Sequence, residues 1–114
     1  MHEAHLIDAV IEKVQQVAEE HGASRVLSVD IKLGELSEFS PESLEMYFRF
    51  KSKGTMAESA ALNIKVEQAQ ARCAACGAQF KPEDTVCACP QCGDLRVEIL
   101  SGQGIALTSV ELDQ

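Results

Sequence analysis

Two short segments of this chain repeat one pattern: Cys73-Ala74-Ala75-Cys76-Gly77 and Cys89-Pro90-Gln91-Cys92-Gly93. Two residues between a pair of thiolates let both sulfurs reach one metal ion from a single tight turn. The glycine that follows lets backbone amides swing toward the sulfurs where a side chain would clash. Two such knuckles supply four thiolates, a complete tetrahedral shell for zinc. Twelve residues separate them, enough for a small hairpin. Any fold of this chain must therefore bring residues 73–76 and 89–92 together around one ion.

Five cysteines is an odd number, and four of them sit in the knuckles. No basic stretch followed by an apolar block opens the sequence, so no secretory signal is expected. The cysteines then read as metal ligands in a reducing cytoplasm, not as a disulfide framework. Cys87 stands two residues before Cys89 and offers a competing sulfur. The symmetric knuckle pair is the better geometry, which leaves Cys87 a free or partly buried thiol.

At 114 residues the chain can build one compact core and a small metal-stapled lobe. No apolar run approaches the roughly 20 residues of a membrane span. Ten basic residues against 18 acidic ones give a formal charge of −8. Four ionised thiolates around a divalent ion add about −2 more. Phosphate backbones should be repelled, which disfavours nucleic acid as a partner. Cations and basic protein surfaces are favoured.

Ile7, Val10, Ile11, Val14, Val17 and Ala18 recur at steps of three and four and predict an amphipathic helix over 4–20. His21-Gly22 is its stop, with glycine free to take a left-handed cap and an imidazolium suited to the helix dipole. Leu27, Val29, Ile31 and Leu33 alternate with polar residues and predict a strand with one buried face. A loop over 34–39 follows. Glu35 and Glu38 in it are ordinary solvated acids, or receivers of a cation or of a partner's basic residue. Ser40-Pro41-Glu42 opens a second helix: an N-cap serine, proline at the first helical position, an acid in the first turn. Leu44, Tyr47 and Phe48 form its apolar stripe, Phe50 is expected in the core with them, and Lys53-Gly54 ends it. A second strand carries Leu62, Ile64 and Val66 and leads directly into the first knuckle. Gln79-Phe80 and Thr85-Val86 suggest a hairpin between the knuckles, turning at Pro82-Glu83-Asp84. Val97 and Ile99 mark another strand, Gly102-Gln103-Gly104 a hairpin or bulge, and 105–112 the last strand. The expected fold class is α+β: two helices on a small sheet of about three strands, with an inserted zinc-ribbon lobe.

The other end of the chain carries a second chelating pattern, Met1-His2-Glu3. With Met1 retained and its amine free, the amine and the His2 amide nitrogen close a five-membered ring on a metal. The His2 imidazole and that same amide close a six-membered ring. The Glu3 amide or carboxylate is available as a fourth donor. Metals that reward in-plane nitrogen donors, Ni(II) and Cu(II), suit such a set. A terminal tripeptide otherwise tends to fray. His5, one helical turn after His2, either joins such a site or is a solvated first-turn residue.

Taken together, these pieces resemble the HypA/HybF family of nickel metallochaperones. The resemblance rests on Met1-His2-Glu3 with Leu6, Gly34, the helix from Pro41-Glu42-Ser43-Leu44 to Phe48 and Phe50, and Gly54-Thr55. It continues through Ala57-Glu58, Ala60-Ala61-Leu62, the two knuckles, and Thr108-Ser109-Val110-Glu111-Leu112, so it covers essentially the whole chain. It implies Ni(II) as cargo at His2, with Glu3 and the Met1 amine beside it, and structural Zn(II) at Cys73, Cys76, Cys89 and Cys92. It implies a HypB-type GTPase partner and delivery to the large subunit of a [NiFe]-hydrogenase, with urease as a further client in some organisms. It implies a nickel-binding α+β domain made of residues 1–70 together with 96–114, and a zinc-binding domain inserted over 71–95. A homodimer is a further possibility. Two positions depart from the family pattern: His5, where many members carry a small or apolar residue, and Gly104-Ile105, where members often carry an acid and leucine.

Two other readings compete. A zinc-ribbon adapter would bind proteins through the ribbon, with an inert N-terminus and no nickel transfer. A rubredoxin-like protein would hold iron in the same four cysteines. No nucleophile, base and oxyanion-donor set is visible, so no enzymatic activity is expected.

Overall fold

The computed structural model describes residues 3–113. The elements run α1 (Ala4–Glu20), β1 (Arg25–Gly34), α2 (Pro41–Ser52), β2 (Ala61–Glu67), β3 (Gln70–Cys73), β4 (Gln79–Phe80), β5 (Val97–Ser101) and β6 (Ile105–Asp113). They form two three-stranded sheets, ordered β2-β1-β6 and β4-β3-β5. The α+β expectation holds, with two helices on the first sheet and the four cysteines at the second.

The apolar spacing of α1 buries Ile7, Val10, Ile11, Val14 and Ala18 against the first sheet. His21 caps it as expected: its ring Nδ1 lies 2.9 Å from the Val17 carbonyl oxygen, and Gly22 turns the chain at φ 63°. Ser40 caps α2, its hydroxyl accepting from the Ser43 amide at 3.1 Å while Ser43 Oγ accepts from the Ser40 amide at 2.9 Å. Leu44 and Phe48 of α2 complete the core with Phe39, Val26, Val29, Ile31 and Leu33. Each such side chain contributes about 1.5–3 kcal/mol by leaving water.

Within the first sheet β1 is central, parallel to β2 and antiparallel to β6. The pairing with β6 slips between Val26 and Ser28, so Leu27 is an extra residue in the ladder. That bulge corrects the expected phase of the strand. Val26 turns inward and Leu27 is 37% exposed. Two further expectations fail at the surface. Val66, on the outer strand β2, is exposed, and Phe50 lies on the solvent side of α2 with 67% of its surface exposed.

The second strand does not run on into the first knuckle. Gln68 and Ala69 break it, and β3 begins in the other sheet. The expected pairing of Gln79-Phe80 with Thr85-Val86 is also replaced. Gln79 and Phe80 pair with Arg72 and Ala71 instead. The knuckle at 73–77 is itself the tight turn of that hairpin, which leaves Thr85 and Val86 outside any strand.

The Cα radius of gyration is 17.2 Å over extents of 55 × 23 × 18 Å. A compact chain of this length would have about 13 Å, so the two sheets form two lobes along one axis. Between them the crossing strands pass very close. Gly102 at φ 92° lies against Ala69. Gly34 donates to the Gly104 carbonyl at 2.8 Å, and Leu36 to the Gly102 carbonyl at 2.8 Å.

Candidate metal centres

The sulfurs of Cys73, Cys76, Cys89 and Cys92 all lie within 4.8 Å of one another. Cys73 is 3.6 Å from Cys92, and Cys76 is 3.7 Å from Cys89. Zinc with bonds of about 2.3 Å would set tetrahedral sulfur–sulfur edges of about 3.8 Å. A disulfide would need about 2.05 Å, and all five cysteines are free. The residues therefore fit a four-thiolate metal site, and fit zinc.

The knuckles build this geometry through their backbone. Gly77 and Gly93 sit at φ 78° and 76°, as their place after each Cys-x-x-Cys predicts. Cys73 Sγ accepts from the Cys76 amide at 3.5 Å, and Cys89 Sγ from the Gln91 amide at 3.4 Å. In each knuckle the first cysteine is buried and the second is exposed. Cys89 is drawn down to about 7, chiefly by the Cys92 amide and further by that of Gln91. Cys92 goes the other way. The Asp94 amide draws it down, but the Cys73 thiol and burial outweigh that and push it up to about 12. Four sulfurs this close cannot all ionise unless a cation joins them.

The lobe around the cysteines has little else to hold it. Its buried apolar residues are Ala69, Ala71, Cys73, Pro82 and Cys89, while Val86, Leu95 and Leu100 are exposed. None of these belongs to the main core. In a lobe without large buried aliphatic or aromatic side chains, a metal bound at the four cysteines would supply folding free energy. Cys87 is half-buried and outside the four-sulfur group.

At the other candidate site, Met1 and His2 lie outside the described residues. Glu3 is the N-cap residue of α1, yet its side chain makes no cap hydrogen bond. It reaches instead to the loop after β1. Its carboxylate accepts from Ser37 Oγ and, at 3.0 Å, from the Glu38 amide. The Glu3 amide donates to Glu38 Oε1 at 2.9 Å. The loop is held in turn from the far lobe. Glu35 accepts from the Ala69 amide at 3.2 Å and pairs with Lys81 at 2.5 Å. His5 is exposed on the first turn of α1.

Residues 1–112 match the family described as "Hydrogenase/urease nickel incorporation, metallochaperone, hypA". The chain belongs to the HypA family. Among its relatives, the hydrogenase maturation factor HypA of Aquifex aeolicus is 35% identical over 113 residues, covering 99% of this chain and 98% of that protein. The one from Archaeoglobus fulgidus is 38% identical over 113 residues, covering 99% of each. The fold agrees with that of the nickel metallochaperone HypA from Helicobacter pylori, at a TM-score of 0.69 and 24% identity over 97% of both chains. A second HypA solution structure matches at a TM-score of 0.71, covering 98% of this chain and 96% of that one.

HypA is thus a metallochaperone and maturation-factor family, and this member carries a four-cysteine metal site. Among the described residues no helix is long and apolar enough to cross a membrane. The sequence reading missed the loop at 35–38 as a working part. Glu35 and Glu38 are expected as solvated acids or receivers of a positive group, and Glu35 does receive Lys81, but nothing in their local spacing ties them to Lys81, Ala69 or Glu3, which lie 34 to 46 residues away.

Proposed function

We propose that this HypA family member binds Ni(II) at its N-terminal segment and delivers it for [NiFe]-hydrogenase maturation. Zn(II) at Cys73, Cys76, Cys89 and Cys92 is its structural ion. The lobe built on the second sheet, around the 71–95 insertion, carries the zinc, and the domain built on the first sheet and the two helices carries the nickel. One observation within the molecule supports the nickel half most. The residue next to His2 is rooted, because Glu3 is bound through both its amide and its carboxylate to Ser37 and Glu38. A chelating terminus rooted in this way loses less entropy on binding a metal than a frayed one.

His2 is the principal ligand through its imidazole and amide nitrogen, with the Met1 amine beside it. Ni(II) favours such planar nitrogen sets. Glu3 joins the ligand set only by giving up bonds to the loop, so the proposal gives it first the role of root. The partners on this reading are a HypB-type GTPase and the hydrogenase large subunit. The protein acts in the cytoplasm as a carrier and not as a catalyst, and a homodimer is compatible with it.

The zinc-ribbon adapter reading has one observation in its favour: Val86 and Leu95 stand exposed on the cysteine lobe. His2→Ala separates the two. Nickel titration by calorimetry, on protein with a native N-terminus, is expected to lose binding while zinc content and thermal midpoint stay put. Unchanged nickel affinity in that variant would refute the carrier reading and leave the adapter. Colourless zinc-loaded protein, as opposed to a red iron form, would dispose of the rubredoxin-like alternative.

A further inference from the structure

The loop between β1 and α2 is bonded at both ends to parts of the chain remote in sequence. At its start, the Glu35 amide donates to the Glu67 carbonyl at 2.9 Å and the Leu36 amide to the Gly102 carbonyl at 2.8 Å. The Glu35 carboxylate accepts from the Ala69 amide and pairs with Lys81. Glu67 and Ala69 flank the strand crossing into the cysteine lobe, Gly102 lies on the return, and Lys81 follows β4 between the two knuckles. At its other end, Ser37 and Glu38 hold Glu3.

We propose that Glu35 is a positioning residue for the N-terminal metal segment, fixing the Ser37–Glu38 clamp on Glu3 by anchoring the loop to Lys81 of the cysteine lobe. This inference deepens the nickel-carrier reading and, for its nickel readout, rests on it. The physical argument is one of leverage. Only two residues separate Glu35 from Glu38. A carboxylate tied on one side to Ala69 and on the other to Lys81 stops the loop from rotating about its backbone bonds to Glu67 and Gly102. The amide of Glu38 and the hydroxyl of Ser37 then point at Glu3 before any metal arrives. A lysine just past the Phe80 end of β4, level with the start of β3 and away from the knuckle turn, does this from outside the main core, so the clamp draws on both lobes. The Glu35 carboxyl is held below its ordinary range by its Lys81 and Ala69 hydrogen bonds, consistent with a charged partner that stays in place.

The test uses Glu35→Gln, Lys81→Met and the double variant, in full-length zinc-loaded protein. Both side chains lie at the surface, 33% and 53% exposed, so none of the three removes core packing. The first readout needs no nickel: amide hydrogen exchange of Glu38, whose N–H donates to Glu3. Each single variant is expected to raise it about two- to five-fold, the range an exposed ion pair sustains. The double variant should raise it no further, because both changes cut one link. Lys81→Arg should restore protection. The second readout is nickel affinity, expected to weaken by a similar factor while zinc stays at one per chain. Additive effects on Glu38 exchange, or none, would overturn the proposal. Should the variants disturb folding, lowered thermal midpoints without rescue by Lys81→Arg would assign the pair a merely structural role. Nickel binding that survives His2→Ala would overturn the carrier reading alone, since Glu38 exchange reports on the clamp without metal.

Discussion

Gly102 is the residue whose replacement should damage this molecule most for its size. It combines a φ of +92° with a site where an added Cβ would lie 2.4 Å from the Ala69 Cα and 2.8 Å from the Ala69 nitrogen. The obstacle is backbone, which no rotamer change moves aside. Two neighbours separate the contributions. Gly104 has φ +76° with open space around it, so Gly104→Ala carries only the left-handed penalty, about 1–2 kcal/mol. Gly34 has no left-handed φ, but its Cβ would meet the Gly102 carbonyl oxygen at 2.3 Å. Gly34→Ala therefore carries overpacking of about 1–3 kcal/mol, offset by about 0.4–1 kcal/mol from a stiffer unfolded chain. Gly102→Ala carries both penalties, about 2–5 kcal/mol, a large share of the 5–15 kcal/mol typical of a domain. Urea titration of the zinc-loaded proteins, followed by helical circular dichroism, should rank them Gly102→Ala below Gly34→Ala and Gly104→Ala. In Gly102→Ala the Leu36 amide, bonded to the Gly102 carbonyl, should also lose exchange protection ahead of the helices. A Gly102→Ala midpoint no lower than that of Gly104→Ala would refute the crowded crossing as an energetic fact.

Two further outcomes test the two lobes separately. Cys73→Ser should abolish stoichiometric zinc and unprotect amides over 70–101 while leaving the helical signal, and a variant keeping a full equivalent of tightly held zinc would rule out the four-cysteine assignment. Asp30 takes hydrogen bonds from Ser109 and Asn63, which hold its carboxyl below the usual range of 3.8. A depressed carboxyl stabilises the fold above its unfolded value, and the contribution is lost as pH falls through the folded one. The stability difference between the parent and Asp30→Asn should therefore shrink as pH drops below about 4, and a difference that stayed level with pH would show that the pairing carries no linkage.

The first lobe was readable from local pattern because its elements obey local rules. The spacing of α1, the Ser40 cap and the Gly54 stop each work within a turn or two of helix. The knuckles were readable for the same reason, since each is complete within five residues and its glycine sits where the backbone must turn. What failed depended on pairing. Leu27 faces outward because β6 slips past it, and the partner of a strand is not written in that strand. Gln79-Phe80 turned back on β3 because the metal knuckle supplies a tighter turn than Pro82-Glu83-Asp84. Phe50 looked like core because aromatic residues usually are, but Leu44 and Phe48 already span the buried side of α2. The clamp on Glu3 was invisible for the plainest reason: its parts meet only after the sheet has formed.

The division of labour between the two candidate sites follows from how each is built. The cysteine lobe buries two alanines, one proline and two cysteines and no large aliphatic or aromatic side chain, so a bound ion would take the place of a core. Removing that ion means unfolding the lobe, and a closed set of four thiolates offers an incoming acceptor no open position. Such a site suits retention. A carrier needs the opposite: donors at a chain end, where a receiving protein can displace them one at a time, on a root firm enough to present them. On the proposed reading Glu3 supplies that root through the loop at 35–38, and the loop takes its own purchase from Lys81. On the proposed reading the zinc lobe would serve nickel transfer mechanically, by holding the clamp, without ever exchanging its own metal.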